Sequence, residues 1–264
     1  MRMVLRRFAH RLLLAVANTV AAVAFAYAGS MVPPSRGVEG ADALPIRTVI
    51  ELFTSQGCSS CPPADAMLKQ FSEEPGVLAL SLPVDYWDYL GWKDTLGSPR
   101  NSERQRSYAK ARGDGAIYTP QMVVNGTIHV NGAQKADIEQ AISLTSKNTA
   151  LPRVSIRFWQ EANTLNIAAG AAEAGRVVNE ATVWLALVQP SATVEVAHGE
   201  NAGQKLQYTN VVRELTPVGL WKGEPLMIQI PRLAVMQAST QKCVVLIQEG
   251  KAGPIIGAAL INLW

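Results

Sequence analysis

Thr54-Ser55-Gln56-Gly57-Cys58-Ser59-Ser60-Cys61-Pro62-Pro63 follows the apolar run Val49-Ile50-Glu51-Leu52-Phe53 and precedes a stretch in which Ala64, Met67, Leu68 and Phe71 recur at helical spacing. The run is rich in β-branched and aromatic residues and predicts a strand over about Arg47 to Phe53. The i, i+3, i+4, i+7 pattern predicts an amphipathic helix that ends near Pro75-Gly76. A C-x-x-C at this junction places one thiol at the helix N-terminus and the other one turn further in. The partial positive charge of the helix end stabilises a thiolate, the form that attacks disulfides. Pro62 and Pro63 allow a second arrangement. A residue before proline avoids the α region, so Cys61 would precede the helix and both thiols would lie in the approach loop.

Working outward, Val77 to Leu82 is a short apolar run that predicts a buried strand. Asp85 to Leu96 is aromatic and irregular. Ser98-Pro99 predicts an N-cap with proline at the first helical position, opening a polar helix that runs to about Arg112 and stops at Gly113. Tyr118-Thr119-Pro120 leads into Gln121-Met122-Val123-Val124. Asn125-Gly126 then separates it from Thr127-Ile128-His129-Val130, the strongest short-range hairpin signal. Ile138, Ala141, Ile142 and Thr145 mark a closing helix. This order, with a dithiol at the first strand-helix turn and Thr-Pro before the third strand, resembles the thioredoxin-like core, in which that proline follows a cis bond.

The texture changes near Ala150-Leu151-Pro152. Beyond it, short alternating runs at Val154 to Phe158, Leu165 to Ile167, Val183 to Leu187, Leu226 to Ile230 and Cys243 to Ile247 are separated by turn residues. That pattern predicts an antiparallel β-sandwich-like domain. The fold class read from the sequence is therefore an α/β thioredoxin-like domain over 45–150 followed by an all-β, sandwich-like domain over 151–264.

The N-terminus carries Arg2, Arg6, Arg7 and Arg11, then an apolar run from Leu12 to Ala28 that ends in Ala26-Tyr27-Ala28. This reads as a signal peptide over 1–28, with an uncleaved anchor as the other reading. Residues 29–44 read as a flexible, Pro/Gly-rich leader. Arg6-Arg7-Phe8 leaves the export route, general secretory or twin-arginine, open. Cleavage after Ala28 removes four arginines and no acid, so the formal charge falls from +3 to −1. No basic run then remains to suggest nucleic acid, and no membrane association is expected after cleavage. An extracytoplasmic location, periplasmic or secreted, follows. The three cysteines are too few and odd in number for a disulfide scaffold, so the C-x-x-C reads as chemical rather than architectural.

Several phrases point together to one family. They are Glu51 to Asp65 with its C-x-x-C, Val84-Asp85-Tyr86-Trp87-Asp88, Gly91-Trp92-Lys93-Asp94, Arg104-Gln105 with Tyr108, Tyr118-Thr119-Pro120-Gln121, Gly199-Glu200-Asn201 and Asn210-Val211-Val212-Arg213. From residue 29 the chain resembles, nearly end to end, the secreted bacterial thioredoxin-like proteins classed as domain of unknown function 1223. That resemblance implies a fold and no particular substrate. The wider thioredoxin superfamily implies dithiol chemistry for Cys58, Cys61 and Pro120 with its neighbour Thr119.

The leading functional reading is an exported thiol-disulfide oxidoreductase acting on protein or small-thiol disulfides without a cofactor. Cys58 would be the exposed nucleophile, and Cys61 would resolve the mixed disulfide. Ser59 and Ser60 supply only hydroxyl dipoles, so a modest fall in the Cys58 pKa is expected. The backbone at Thr119 would pair with an extended substrate. Trp87 and Trp92 would form a substrate-facing lip with Asp85 or Asp88 as a proton carrier, or would simply pack their loop on the core. His198-Gly199-Glu200-Asn201 and Arg213 read as a structural turn or as a second site. Cys243 reads as a buried core thiol. Two other classes stay open: a non-catalytic partner-binding module on the same scaffold, and a carrier of a soft metal such as Cu(I) on Cys58 and Cys61.

Overall fold

The structure is a computed structural model that describes residues 46–147, 154–173, 179–235 and 239–263. The signal and leader expected over 1–44 lie outside the described residues. The described residues belong to one compact unit.

β1 (Thr48–Thr54) is buried along its whole length, as a strand covered on both faces must be. It pairs in parallel with β2 (Val77–Pro83) and antiparallel with β3 (Gln121–Val124), which turns into β4 (Ile128–Asn131). The turn is the expected Asn125-Gly126, both residues at positive φ, 49° and 71°. Gly126 is required there twice over, because a Cβ would also lie 2.4 Å from the carbonyl oxygen of Gly253.

α1 (Pro62–Ser72) joins β1 to β2 and buries Ala64, Leu68 and Phe71. Full burial of a Leu or Phe side chain stabilises by about 1.5–3 kcal/mol each. α2 (Pro99–Arg112) begins as its sequence requires: the Ser98 hydroxyl accepts from the Arg100 N–H, Pro99 holds the first position, and Gly113 closes the helix at φ 80°. α3 (Lys135–Ser146) buries Ile138 and Ala141, and Ile138 shares a core with residues of α1, β1 and β3.

The second half is built from β5 (Ile156–Glu161), β6 (Thr164–Ala169), β7 (Ala181–Glu195), β8 (Lys205–Trp221), β9 (Leu226–Pro231), β10 (Lys242–Glu249) and β11 (Ile255–Asn262). Strands β5, β6 and β9 form a three-stranded sheet. Its Leu165, Ile167 and Ile228 share a core with Val183, Leu185, Val245 and Ile247 of β7 and β10. Residues of the two sheets thus share one core.

One expectation needs correction. The sheet does not stop at residue 150. β8 pairs in parallel with β2 at Ser81 and Val211, giving a single eight-stranded sheet in the order β11-β10-β7-β8-β2-β1-β3-β4. The join is made by β8, a long strand missed in the sequence; β11, also missed, forms the far edge beside β10. β7 and β8 form one hairpin that bends at two register shifts, after Val183 and after Leu187. Such irregularities increase local twist, and beyond them the distal part of the hairpin reaches back over α1.

A buried polar cluster also crosses the expected boundary. Arg104 of α2 donates to both carboxylate oxygens of Glu51, at 2.6 and 3.0 Å, and to the Tyr108 hydroxyl at 2.9 Å. Tyr108 donates to Glu51 and accepts from Gln248 of β10. The Arg104 guanidinium lies over the Trp184 ring of β7. A buried carboxylate such as Glu51 is tolerated only with this degree of pairing.

Candidate functional site

Cys58 and Cys61 are joined as a disulfide, with Cα atoms 5.4 Å apart, in the turn between β1 and α1. Cys61 is the N-cap of α1, and Pro62 takes the first helical position. Both sulfurs therefore precede the helix, and the placement of one thiol a turn inside it is corrected. The outcome matches the reading in which the prolines keep the thiols in the approach loop. The stated reason does not hold, because Cys61 sits in the α region at φ −79°, ψ −36°.

The expectation of an exposed Cys58 is also corrected. Cys58 is 1% exposed and Cys61 0%, whereas Ser59 and Ser60 between them are open to solvent. The cause is a cover of long-range contacts that no local pattern encodes. Asn201, fully buried at the tip of the β7–β8 hairpin, donates its side-chain amide to the carbonyls of Gln56 at 2.9 Å and Cys58 at 3.0 Å. Its neighbour Glu200 accepts from the Ser59 N–H at 3.1 Å, and this contact with Ser59 holds its carboxyl below the usual range. Gly199, at φ 83°, lets the tip approach Trp92 closely. The Gly-Glu-Asn turn is thus no second site; it belongs to the dithiol loop.

The aromatic segment supports the same loop from the other side. The Trp92 indole donates to the Gln56 side-chain oxygen at 2.8 Å. Asp94 accepts the Gln56 N–H at 2.8 Å and that of Leu96 at the same distance. Trp87 packs against Gly57, where an added Cβ would meet the Trp87 Cβ at 3.0 Å. Its indole donates to the Thr119 hydroxyl at 2.9 Å. Both tryptophans are half-buried, so they brace the loop and still reach its surface. The two acids considered as proton carriers are occupied as acceptors: Asp85 takes the Ser102 hydroxyl and Asp88 the Asp94 N–H.

The Thr119–Pro120 peptide is cis. Phe53 pairs with Gln121 across the sheet, so Thr119-Pro120 lies at the end of β1 from which the dithiol loop departs. Trp87, touching both Gly57 and Thr119, ties the two together. Pro120 is buried and Thr119 half-buried.

Three titratable groups lie beneath the loop that sequence reasoning did not single out. Asp65, on the inner face of α1, accepts from the Thr54 hydroxyl at 3.1 Å through one oxygen. Its other oxygen and the hydroxyl of Tyr208 on β8 are buried with no hydrogen-bond partner among the described residues. Burial raises the pKa of Asp65, with a smaller contribution from Asp94. Burial likewise raises Asp94, and raises Tyr208 together with the charges of Asp65 and Asp94. The helical spacing of Asp65 from Ala64 and Leu68 was the available signal, since it places a carboxyl on the apolar face. Cys243, on β10, is the buried core thiol expected, its pKa pushed up to about 12 by burial.

Residues 49–248 match the sequence profile of a family described as a protein of unknown function, DUF1223. The chain belongs to this family. Among solved structures, the DUF1223 chain is similar to protein AGR_C_4864 of Agrobacterium tumefaciens, at 34% identity and a TM-score of 0.71, over 83% of this chain and 96% of that one. It is also similar in fold to HBP35 of Porphyromonas gingivalis, at 13% identity and a TM-score of 0.58, over 83% of this chain and 76% of that one. No curated protein matches the DUF1223 chain. No helix among its described residues is long and apolar enough to cross a membrane.

Proposed function

We propose that this protein is an exported thioredoxin-like thiol-disulfide oxidoreductase whose working pair is Cys58 and Cys61. The observation that carries this reading is the Cys58–Cys61 disulfide in the β1–α1 turn, beside Thr119-Pro120. The strand and helix order from β1 to α3 supports the thioredoxin likeness, and the N-terminal residues 1–28 support export.

In the reducing direction the Cys58 thiolate attacks a substrate disulfide. A Cys58–substrate bond forms, and the displaced sulfur leaves as a thiolate that takes a proton from water. Cys61 then loses its proton and attacks the Cys58 sulfur. The bond seen in the structure forms, the second substrate thiol departs, and two electrons have passed to the substrate. The oxidising direction is the reverse. Trp87, Trp92 and the Thr119 backbone would contact the substrate beside the pair.

A second reading has its own support. Cys58 is 1% exposed beneath the Asn201 tip, which suits a non-catalytic partner-binding module with a structural bridge. One experiment separates the two. The reduced protein is mixed with glutathione disulfide and with a disulfide-bonded peptide, and thiol release is followed beside a Cys58→Ser, Cys61→Ser control. Release that depends on both cysteines supports the oxidoreductase. Release no faster than the control, with Cys58 slow toward iodoacetamide, overturns it.

A further inference from the structure

The amides around Cys58 are already engaged. The Cys58 N–H bonds the Ser55 carbonyl at 3.2 Å, the Cys61 N–H bonds the Cys58 carbonyl at 3.1 Å, and the Ser59 N–H bonds Glu200 at 3.1 Å. Of the contacts to the sulfur, the Ser60 hydroxyl approaches at 3.4 Å. Chain geometry keeps the Ser59 nitrogen within a few ångströms of the Cys58 sulfur, so the Glu200 carboxylate lies no further than about 8 Å from it. This carboxylate occupies the backbone N–H that directly follows Cys58. It comes from a hairpin tip fixed in place by Asn201 and the Trp92 contact, not from a free side chain alone.

From this geometry we infer that Glu200 is a positioning residue that sets how readily Cys58 ionises, and so how strongly the reduced pair gives up electrons. The inference rests on the oxidoreductase reading. The disulfide form carries no charge on sulfur, whereas the dithiol form passes through a thiolate. A fixed negative charge beside it penalises the reduced state selectively and leaves the protein a stronger reductant.

The elements against the loop also carry, among their ionisable groups, Asp65 and Lys69 of α1, Asp85, Asp88, Lys93 and Asp94 of the aromatic segment, His198 on the same tip, and Lys205 and Tyr208 of β8. Burial holds Asp65 and Asp94 toward their protonated forms, whereas Ser59 holds Glu200 toward its charged one. Glu200 is the acid whose carboxylate is hydrogen-bonded to the amide next to Cys58.

The test uses Glu200→Gln, which keeps an oxygen for the Ser59 N–H and removes the charge. Reduced wild-type and variant proteins are alkylated with iodoacetamide across pH, with modification read at Cys58 by mass spectrometry. Both are also equilibrated with reduced and oxidised glutathione at low and high salt. The variant's alkylation midpoint should fall by about half a unit, and its glutathione equilibrium should move about threefold toward the dithiol; both differences should shrink in high salt as an exposed charge is screened. Wild type and variant with the same midpoint and the same equilibrium would overturn the inference while leaving the oxidoreductase reading intact. A salt-independent difference would also overturn it, because that points to a loosened tip. A wild-type pair that does not equilibrate with glutathione at all would overturn the oxidoreductase reading itself.

Discussion

Asn201 donates its side-chain amide to the carbonyl of Cys58 at 3.0 Å, across 143 positions of sequence, so the second half of the chain holds the Cys58–Cys61 turn of the first. The same NH2 group reaches the Gln56 carbonyl at 2.9 Å, and the Asn201 side-chain oxygen accepts from Gln204. Asn201→Ala leaves the Gln56 carbonyl in a buried setting without this donor, and leaves the Cys58 carbonyl with the Cys61 N–H alone of the two. The expected cost is about 1–3 kcal/mol in urea unfolding. Reduction of the disulfide by dithiothreitol should also become faster. A variant as stable as wild type, with its disulfide equally slow to reduce, would show that the amide only fills space.

The buried pair Glu51 and Arg104 makes a sharper demand on stability. Arg104→Ala strands a carboxylate that is 1% exposed, and removing one partner of such a pair costs about 3–5 kcal/mol. Replacing both, as Glu51→Leu with Arg104→Met, should recover most of that loss in the same urea titration. Failure of the double variant to recover would mean that Tyr108 and Gln248 depend on the charges rather than on the space they fill.

Much of the first half was readable before any coordinates. β1, α1, the Ser98-Pro99 entry of α2 and the Asn125-Gly126 turn each carry a local signal of short range: a β-branched run, a 3.6-residue pattern, a cap, a pair of residues that tolerate positive φ. β8 carried none of comparable strength. Lys205 to Trp221 mixes buried and half-exposed positions because different parts of it serve different cores: Leu206, Tyr208 and Val211 pack in one cluster and Trp221 in another. The site was legible to the same extent. Cys58, Cys61 and Pro120 announce themselves by residue type and spacing. Glu200 and Asn201 read as a structural turn or as a separate second site, since nothing local reveals that a hairpin with two register shifts brings that turn onto Cys58. The burial of Cys58 follows from the same long-range contact, and was missed for the same reason.

Asp65 gives a pH test with a defined sign. A carboxyl whose pKa is raised in the folded state binds its proton more tightly folded than unfolded. Its favourable contribution is complete below the ordinary value of 3.8 and is lost as pH rises through the folded value. Asp65→Asn keeps an acceptor for the Thr54 hydroxyl and cannot ionise. It should match wild type in thermal stability at acid pH and exceed it at neutral pH. A variant that is less stable at neutral pH would mean that the carboxylate is bound in its charged form.

Cys243 supplies a prediction that needs no variant. A thiol moved from 9.0 up to about 12 carries about a thousandfold less thiolate near neutral pH. With Cys58 and Cys61 oxidised, the native protein should show almost no reaction with an aromatic disulfide reagent. One equivalent should appear promptly in denaturant. Prompt reaction of the native protein at Cys243 would place β10 nearer to solvent than its 0% exposure states.

The join between β2 and β8 bears on how this protein can be divided. Cut at residue 150, the N-terminal piece would carry a bare backbone edge at Ser81 and a Tyr108 hydroxyl stripped of Gln248. Unpaired edges of this kind recruit other chains. A fragment that holds Cys58, Cys61 and Pro120 would therefore tend to aggregate, because the strand that seals its edge comes from the other half.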